Sequence, residues 1–139
     1  MNDLKKICKI LEEAKTIAVV GISRNPNRTS RNIAEFLVDK GYNVIGVNPS
    51  ANGESFDGIP VYSSLIEIQE PIDIVDVFRK SEDIPQIIPN VIEVKPKVLW
   101  LQQGIYNDEA VKPAMEKGIE VIQDSCIAVM HSLCKSKSN

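Results

Sequence analysis

Aromatic residues make up only 5% of this chain, and His131 is its single histidine in 139 residues. One imidazole leaves little choice of general base, and no Ser-His-Asp constellation is visible, so no catalytic residues are assigned. Positive charge is outweighed: 16 Lys and Arg stand against 19 Asp and Glu, a net charge of -3. A chain of that balance lacks the broad basic surface that nucleic acid requires. Long apolar runs are missing too. None approaches the roughly 18–20 residues of a membrane span, and Met1–Ile10 lacks the apolar centre of a secretion signal. A cytoplasmic protein without membrane contact is expected. Cysteines are few, and Cys8, Cys126 and Cys134 are odd in number and widely spaced. That fits a reducing compartment better than a disulfide framework. Cys126, His131 and Cys134 do not converge on one helix face, so no metal centre is expected. Cys126 near a helix start is either an activated thiol or a small, half-apolar cysteine.

What is present is an alternation of β-branched apolar runs with helical periodicity. Within the N-terminal segment 1–14, residues 3–14 read as an amphipathic helix with Asp3 as N-cap. Thr16–Gly21 reads as a strand covered on both faces. Thr29 and Ser30 open a helical pattern, whose apolar face runs through Arg31–Lys40 before Gly41. Strands follow at Asn43–Val47, Ile72–Phe78, Lys97–Leu101 and Ile119–Gln123. Residues 50–60 read as a loop, and Tyr62–Ile68 as a short strand end with one or two helical turns. A helix from Ser81 or Glu82 to about Val94 is expected to kink or split at Pro89. Another runs from an Asn107 cap to Lys117, and a closing helix covers 126–134, leaving 135–139 as a frayed tail. Strands separated by helices pair in parallel. The fold expected is a single α/β domain over 1–139, a Rossmann-like three-layer sandwich with a mostly parallel sheet of five or six strands.

Ligands of such sheets bind beyond the carboxyl ends of the strands. Those ends are polar or carry glycine: Gly21-Ile22-Ser23-Arg24, Asn48-Pro49, Phe78-Arg79-Lys80, Gln102-Gln103-Gly104 and Asp124-Ser125-Cys126. The first is followed by a helix start carrying Arg28, Ser30 and Arg31. Gly21 permits a close turn, Ser23 offers a hydroxyl, and Arg24 or Arg28 offers a charge-assisted bond to phosphate. Cations at a helix N-terminus oppose its dipole, which calls for a compensating anion. The loop is not a dinucleotide fingerprint, because Ser23 and Pro26 stand where glycines are required. Asn48 also replaces the acidic residue that grips an NAD ribose. It reads either as a weaker ribose or adenine partner or as an Asn-Pro turn. Arg79 and Lys80 read either as phosphate ligands or as solvated loop cations, and Trp100 as a core residue.

Several segments in this order resemble one family. They are Ala18-Val19-Val20-Gly21-Ile22-Ser23 with Pro26, Arg28 and Ser30, then Gly41-Tyr42 and Val47-Asn48-Pro49. Asp73-Ile74-Val75-Asp76-Val77-Phe78-Arg79, Trp100-Leu101-Gln102-Gln103-Gly104 and Asp124-Ser125-Cys126 complete them. From about Ile10 to Leu133 the chain resembles small stand-alone CoA-binding proteins. It is similar in the same way to the CoA-binding domain of succinyl-CoA synthetase alpha subunits and acyl-CoA synthetases. The resemblance implies coenzyme A as ligand, lying across the strand tips. Gly21, Ser23 and Arg24 would meet the pyrophosphate, with Ile22, Arg28 and Ser30 in the same loop. Asn48 and Pro49 would border the nucleoside, Phe78 and Arg79 the middle, and Gln102, Gln103 and Gly104 the pantetheine arm. The chain departs from the family at Ser125, where an arginine is usual, and at Met130, where a glutamate is usual. Loss of both members of that pair leaves the region without an expected role. With no room for the other domains of a synthetase, the expectation is a non-catalytic module. It would bind CoA or acyl-CoA as a sensor, a carrier or the partner of an acyl-transfer or synthetase protein, as a monomer or homodimer. The alternatives are an NAD(P)-binding oxidoreductase or regulatory protein, and a redox thiol protein centred on Cys126.

Overall fold

The run Thr16–Val20 is buried at every position, and its alternate side chains feed two different cores. Ile17 and Val19 belong to one, Ala18 and Val20 to the other. That is why the run is apolar throughout rather than alternating. The computed structural model describes the backbone of residues 3–138 and the side chains of residues 3–134. Its elements are α1 (Leu4–Glu13), β1 (Thr16–Val20), α2 (Thr29–Asp39), β2 (Asn43–Val47), β3 (Ser55–Phe56) and β4 (Ile59–Tyr62), followed by β5 (Ile74–Val77), α3 (Ile84–Val94), β6 (Val98–Leu101), α4 (Asp108–Glu116), β7 (Glu120–Ile122) and α5 (Ile127–Ser138). The sheet order is β3-β4-β2-β1-β5-β6-β7. All pairs are parallel except β3 with β4. Helices α1, α2 and α5 cover one face, and α3 and α4 cover the other, giving the Rossmann-like sandwich.

The sheet has seven strands, slightly more than the five or six expected. The extra pairing comes from the segment read as a loop. Asp57 and Gly58 both have positive φ, 52° and 88°, and connect Phe56 to Ile59 as a two-residue hairpin turn. An Asp-Gly pair is a strong signal for that turn. Helix α3 runs through Pro89 without a break. Proline costs one backbone bond there, and burial of Ile84, Ile88 and Val91 on the same helix outweighs it. Asp3 caps α1 and Asn107 caps α4, as their positions in the sequence suggest. The closing helix continues to Ser138. Of the tail expected at 135–139, the side chains and residue 139 lie outside the described residues. No helix among the described residues is long and apolar enough to cross a membrane.

Two of the three cysteines are paired, against the expectation of free thiols. Cys8 on α1 and Cys134 on α5 form a disulfide with a Cα–Cα separation of 5.4 Å. The two helices pack side by side on one face, so tertiary packing joins residues 126 positions apart. Cys126 is free and half-buried.

One row across the sheet is unusual. Val61, Gly46, Val19, Asp76, Trp100 and Ile122 are register neighbours from β4 to β7. Asp76 is fully buried among these apolar positions, and neither carboxylate oxygen has a hydrogen-bond partner among the described residues. Burial pushes its carboxyl well above the usual carboxylate range.

Candidate functional site

Strand β1 is flanked by β2 on one side and β5 on the other, so strand order reverses about it. The tips of these three strands are locked together. Gly21 N–H donates to the Val47 carbonyl at 2.9 Å, and Phe78 N–H donates to the Val20 carbonyl at 2.8 Å. Gly21 has φ +90°, and a Cβ there would lie 2.4 Å from the Phe78 carbonyl oxygen. No other residue fits this turn. Ile22 then turns inward and is 1% exposed. It packs against Gly46, where a Cβ would come within 2.9 Å of its side chain. A buried plug thus anchors an otherwise polar loop.

The loop is preformed by its own hydrogen bonds. Ser23 N–H donates to Ser30 Oγ at 2.9 Å, and Asn25 N–H to Ser23 Oγ at 3.0 Å. Asn48 Nδ2 donates to the Ile22 carbonyl, and Asn48 Oδ1 accepts from the Ser50 N–H, both at 2.9 Å. The backbone N–H groups of Ile22, Arg24, Thr29 and Ser30 have no acceptor among the described residues. Unspent donors at the start of α2 favour an anion, as does the helix dipole.

The arginines divide. Arg31 is only 4% exposed. It donates to the Arg24 carbonyl at 2.8 Å, pairs with Asp57 and lies over the Phe56 ring at 5.0 Å. It clasps the loop to the β3–β4 hairpin. Arg24 pairs with Glu54 and donates to the Ser50 carbonyl. The Arg24 hydrogen bond holds the Glu54 carboxyl below its usual range. Arg28 precedes α2 without a side-chain cap bond. Neither Arg28 nor Arg79 has an ion pair among the described residues.

Arg79 lines a cleft of about 160 Å³ with Gly21 and Pro49, on the face covered by α3. The cleft lies at the strand tips, where Val20, Gly21, Val47 and Pro49 also line it. Its other polar walls are Ser63, Ser64, Gln86 and Asn90, none of them singled out in the sequence. Gln86 and Asn90 are polar residues one turn apart on a mostly apolar helix, which was the available signal. Ser64 opens a capping box with Glu67 and also accepts from Asn90 Nδ2 at 3.3 Å.

The tips of β6 and β7 are arranged differently. Gln102 is 4% exposed, and its Oε1 accepts the Ile127 N–H at 3.1 Å, capping α5. Trp100 is fully buried and donates its indole N–H to the Ser125 carbonyl at 2.7 Å. Gly104 N–H donates to Asp124 Oδ1, and Asn107 N–H to Gln123 Oε1, both at 2.7 Å. Gln103 is exposed, and Phe78 is half-buried against the α1, α2 and α5 core. Among the described residues no three His, Cys, Asp or Glu side chains are grouped to hold a metal ion.

Residues 15–132 match the family described as a CoA binding domain. The chain is 45% identical over 130 residues to the uncharacterized protein YneT of Bacillus subtilis, covering 94% of this chain and 95% of that protein. A solved structure, cell-free ID.343 from Thermus thermophilus, superposes with a TM-score of 0.91 at 36% identity, covering 96% of this chain and 99% of that one. The alpha subunit of an ADP-forming acetate–CoA ligase from Pyrococcus furiosus is 22% identical over 138 residues. That alignment covers 87% of this chain and 29% of the subunit.

Proposed function

Because this chain belongs to the CoA-binding domain family, we propose that it binds coenzyme A or an acyl-CoA at the tips of β1, β2 and β5. It acts there as a cytoplasmic module without chemistry of its own, a sensor or carrier that works with an acyl-transfer or synthetase protein. The observation that carries this reading is the cleft at the reversal of strand order. Arg79 and Gly21 line it, and the loop that continues from Gly21 into α2 carries the unspent N–H groups. Anionic phosphates satisfy those donors and the two uncommitted cations, Arg28 and Arg79. Arg24 and Arg31 serve in this reading as braces, since their charge is met by Glu54 and Asp57. An NAD site is disfavoured at Asn48, which has no carboxylate and whose amide is held by the Ile22 carbonyl.

Isothermal titration with CoA, acetyl-CoA and NAD at two salt concentrations tests the reading. Micromolar CoA binding that weakens with salt, without NAD binding, is the expected result. NAD binding alone, or no binding of any of the three, overturns it.

A further inference from the structure

Two helix-covered cores supply this fold with buried apolar residues on both faces of the sheet. A domain of this size does not need a covalent cross-link to fold. Cys8 and Cys134 are nevertheless bonded, and both are half-exposed rather than buried. Both also line a cavity of about 310 Å³ beside the starts of β1 and β2. That is the opposite edge of the sheet from the cleft. A disulfide sealed in a core is protected from attacking thiolates, whereas this one is reached through an open cavity. Lys40 and Glu12 stand on the cavity wall, together with Tyr42 and His131. His131 meets the Phe36 and Tyr42 rings edge-on at 5.6 and 5.9 Å.

We propose that Cys8–Cys134 is a reversible exchange site for a low-molecular-weight thiol, entered through this cavity. The thiolate of the small molecule attacks one cysteine sulfur. The S–S bond breaks, a mixed disulfide forms, and the other cysteine leaves as a thiolate that takes a proton from water. A second small thiol attacks the mixed disulfide and frees the remaining cysteine. In sum the protein gains two electrons and two protons, and the two small thiols lose them as they join in one disulfide. The reverse reaction starts from the small-molecule disulfide. Helix α1 stays docked when the bond opens. Ile7 and Leu11 are buried, Lys6 pairs with Glu120 at 2.9 Å, and the Tyr42 hydroxyl donates to the Leu11 carbonyl. In a reducing compartment, exposed disulfides of this kind are exchange sites rather than permanent staples.

Thiol titration of the folded protein, with mass spectrometry across a glutathione redox series, tests the proposal. The titre is expected to rise from one thiol per chain to three on reduction, since only Cys126 is free at the start. Reduced Cys8→Ser protein treated with glutathione disulfide should carry one glutathione on Cys134, and Cys126→Ser protein should still exchange. Three thiols that stay reduced in excess glutathione disulfide overturn the proposal. So does a bond that yields only after unfolding, or an adduct confined to Cys126. Repeating the series on Arg79→Ala protein separates this site from the proposed coenzyme cleft, because exchange should be unchanged whether or not the cleft binds CoA.

Discussion

The two halves of the strand-tip edge make an instructive pair. Around β1, β2 and β5, backbone N–H groups and the side chains of Arg28 and Arg79 have no protein partner among the described residues, and Arg79 lines an open cleft. Around β6 and β7, Gln102, Gly104, Gln123 and Asp124 are all spent on internal hydrogen bonds that hold α5 and the loop before α4. Both halves read alike in sequence, as glycine and polar residues after apolar strands. A polar group already paired inside the protein offers a ligand little, since a new bond must replace an existing one. The open half is therefore the proposed binding corner, and the closed half braces α5 and the loop before α4.

Gly21→Val should disturb the molecule most. The substitution forces a β-branched residue to φ +90° and drives its Cβ into the Phe78 carbonyl. It is expected to cost roughly 3 kcal/mol of stability, read by denaturant melts, and to abolish CoA binding. On the closed half, Gln102→Ala strips the Ile127 N–H of its acceptor and should cost about 2 kcal/mol of stability. CoA affinity should change less than about twofold, the scatter expected of a residue outside the contact. A large loss of affinity with unchanged stability would instead return Gln102 to the ligand and erase the contrast between the halves. Arg79→Ala is the mirror experiment. CoA binding should weaken about tenfold, roughly 1.4 kcal/mol, with a shallower salt dependence and an unchanged melt.

Asp76 sharpens the comparison by its pH dependence, because it lies beneath both halves of the edge. Its carboxyl titrates well above the usual range in the folded protein, through burial. Below the unfolded value of about 3.9 both states are protonated and the stability is fully present. As pH rises, the unfolded chain loses the proton while the folded chain keeps it. Stability therefore falls until the folded value is passed. Asp76→Asn should remove that decline in melts across a pH series while leaving CoA affinity at neutral pH nearly unchanged. An identical pH profile in both proteins would show that Asp76 finds a partner in solution.

Much of the architecture was readable along the chain because its signals are local. Apolar β-branched runs set the parallel strands, and Asp3 and Asn107 marked helix starts by accepting backbone N–H bonds. The Asp57-Gly58 signal is equally local, although residues 50–60 read as a loop, and the hairpin it makes supplies the anion that clasps Arg31. The family was visible in the order of the strand-end motifs, and residues 15–132 bear it out. What the chain could not reveal was which polar groups remain unspent. Arg24, Arg28, Arg31 and Arg79 are the same kind of side chain in sequence. Two are neutralised by Glu54 and Asp57, which only the folding of residues 50–60 back onto the loop brings within reach. Gln86 and Asn90 join the cleft because α3 crosses beside the tip of β1. The bond between Cys8 and Cys134 depends in the same way on α1 and α5 lying side by side. Most strands and helices follow from neighbours a few residues apart, so the sequence by itself determined them, whereas the unbroken run of α3 through Pro89 rests on burial. Charge pairing, burial of Asp76 and cross-linking depend on distances between segments far apart in the chain, and only the tertiary structure decided those.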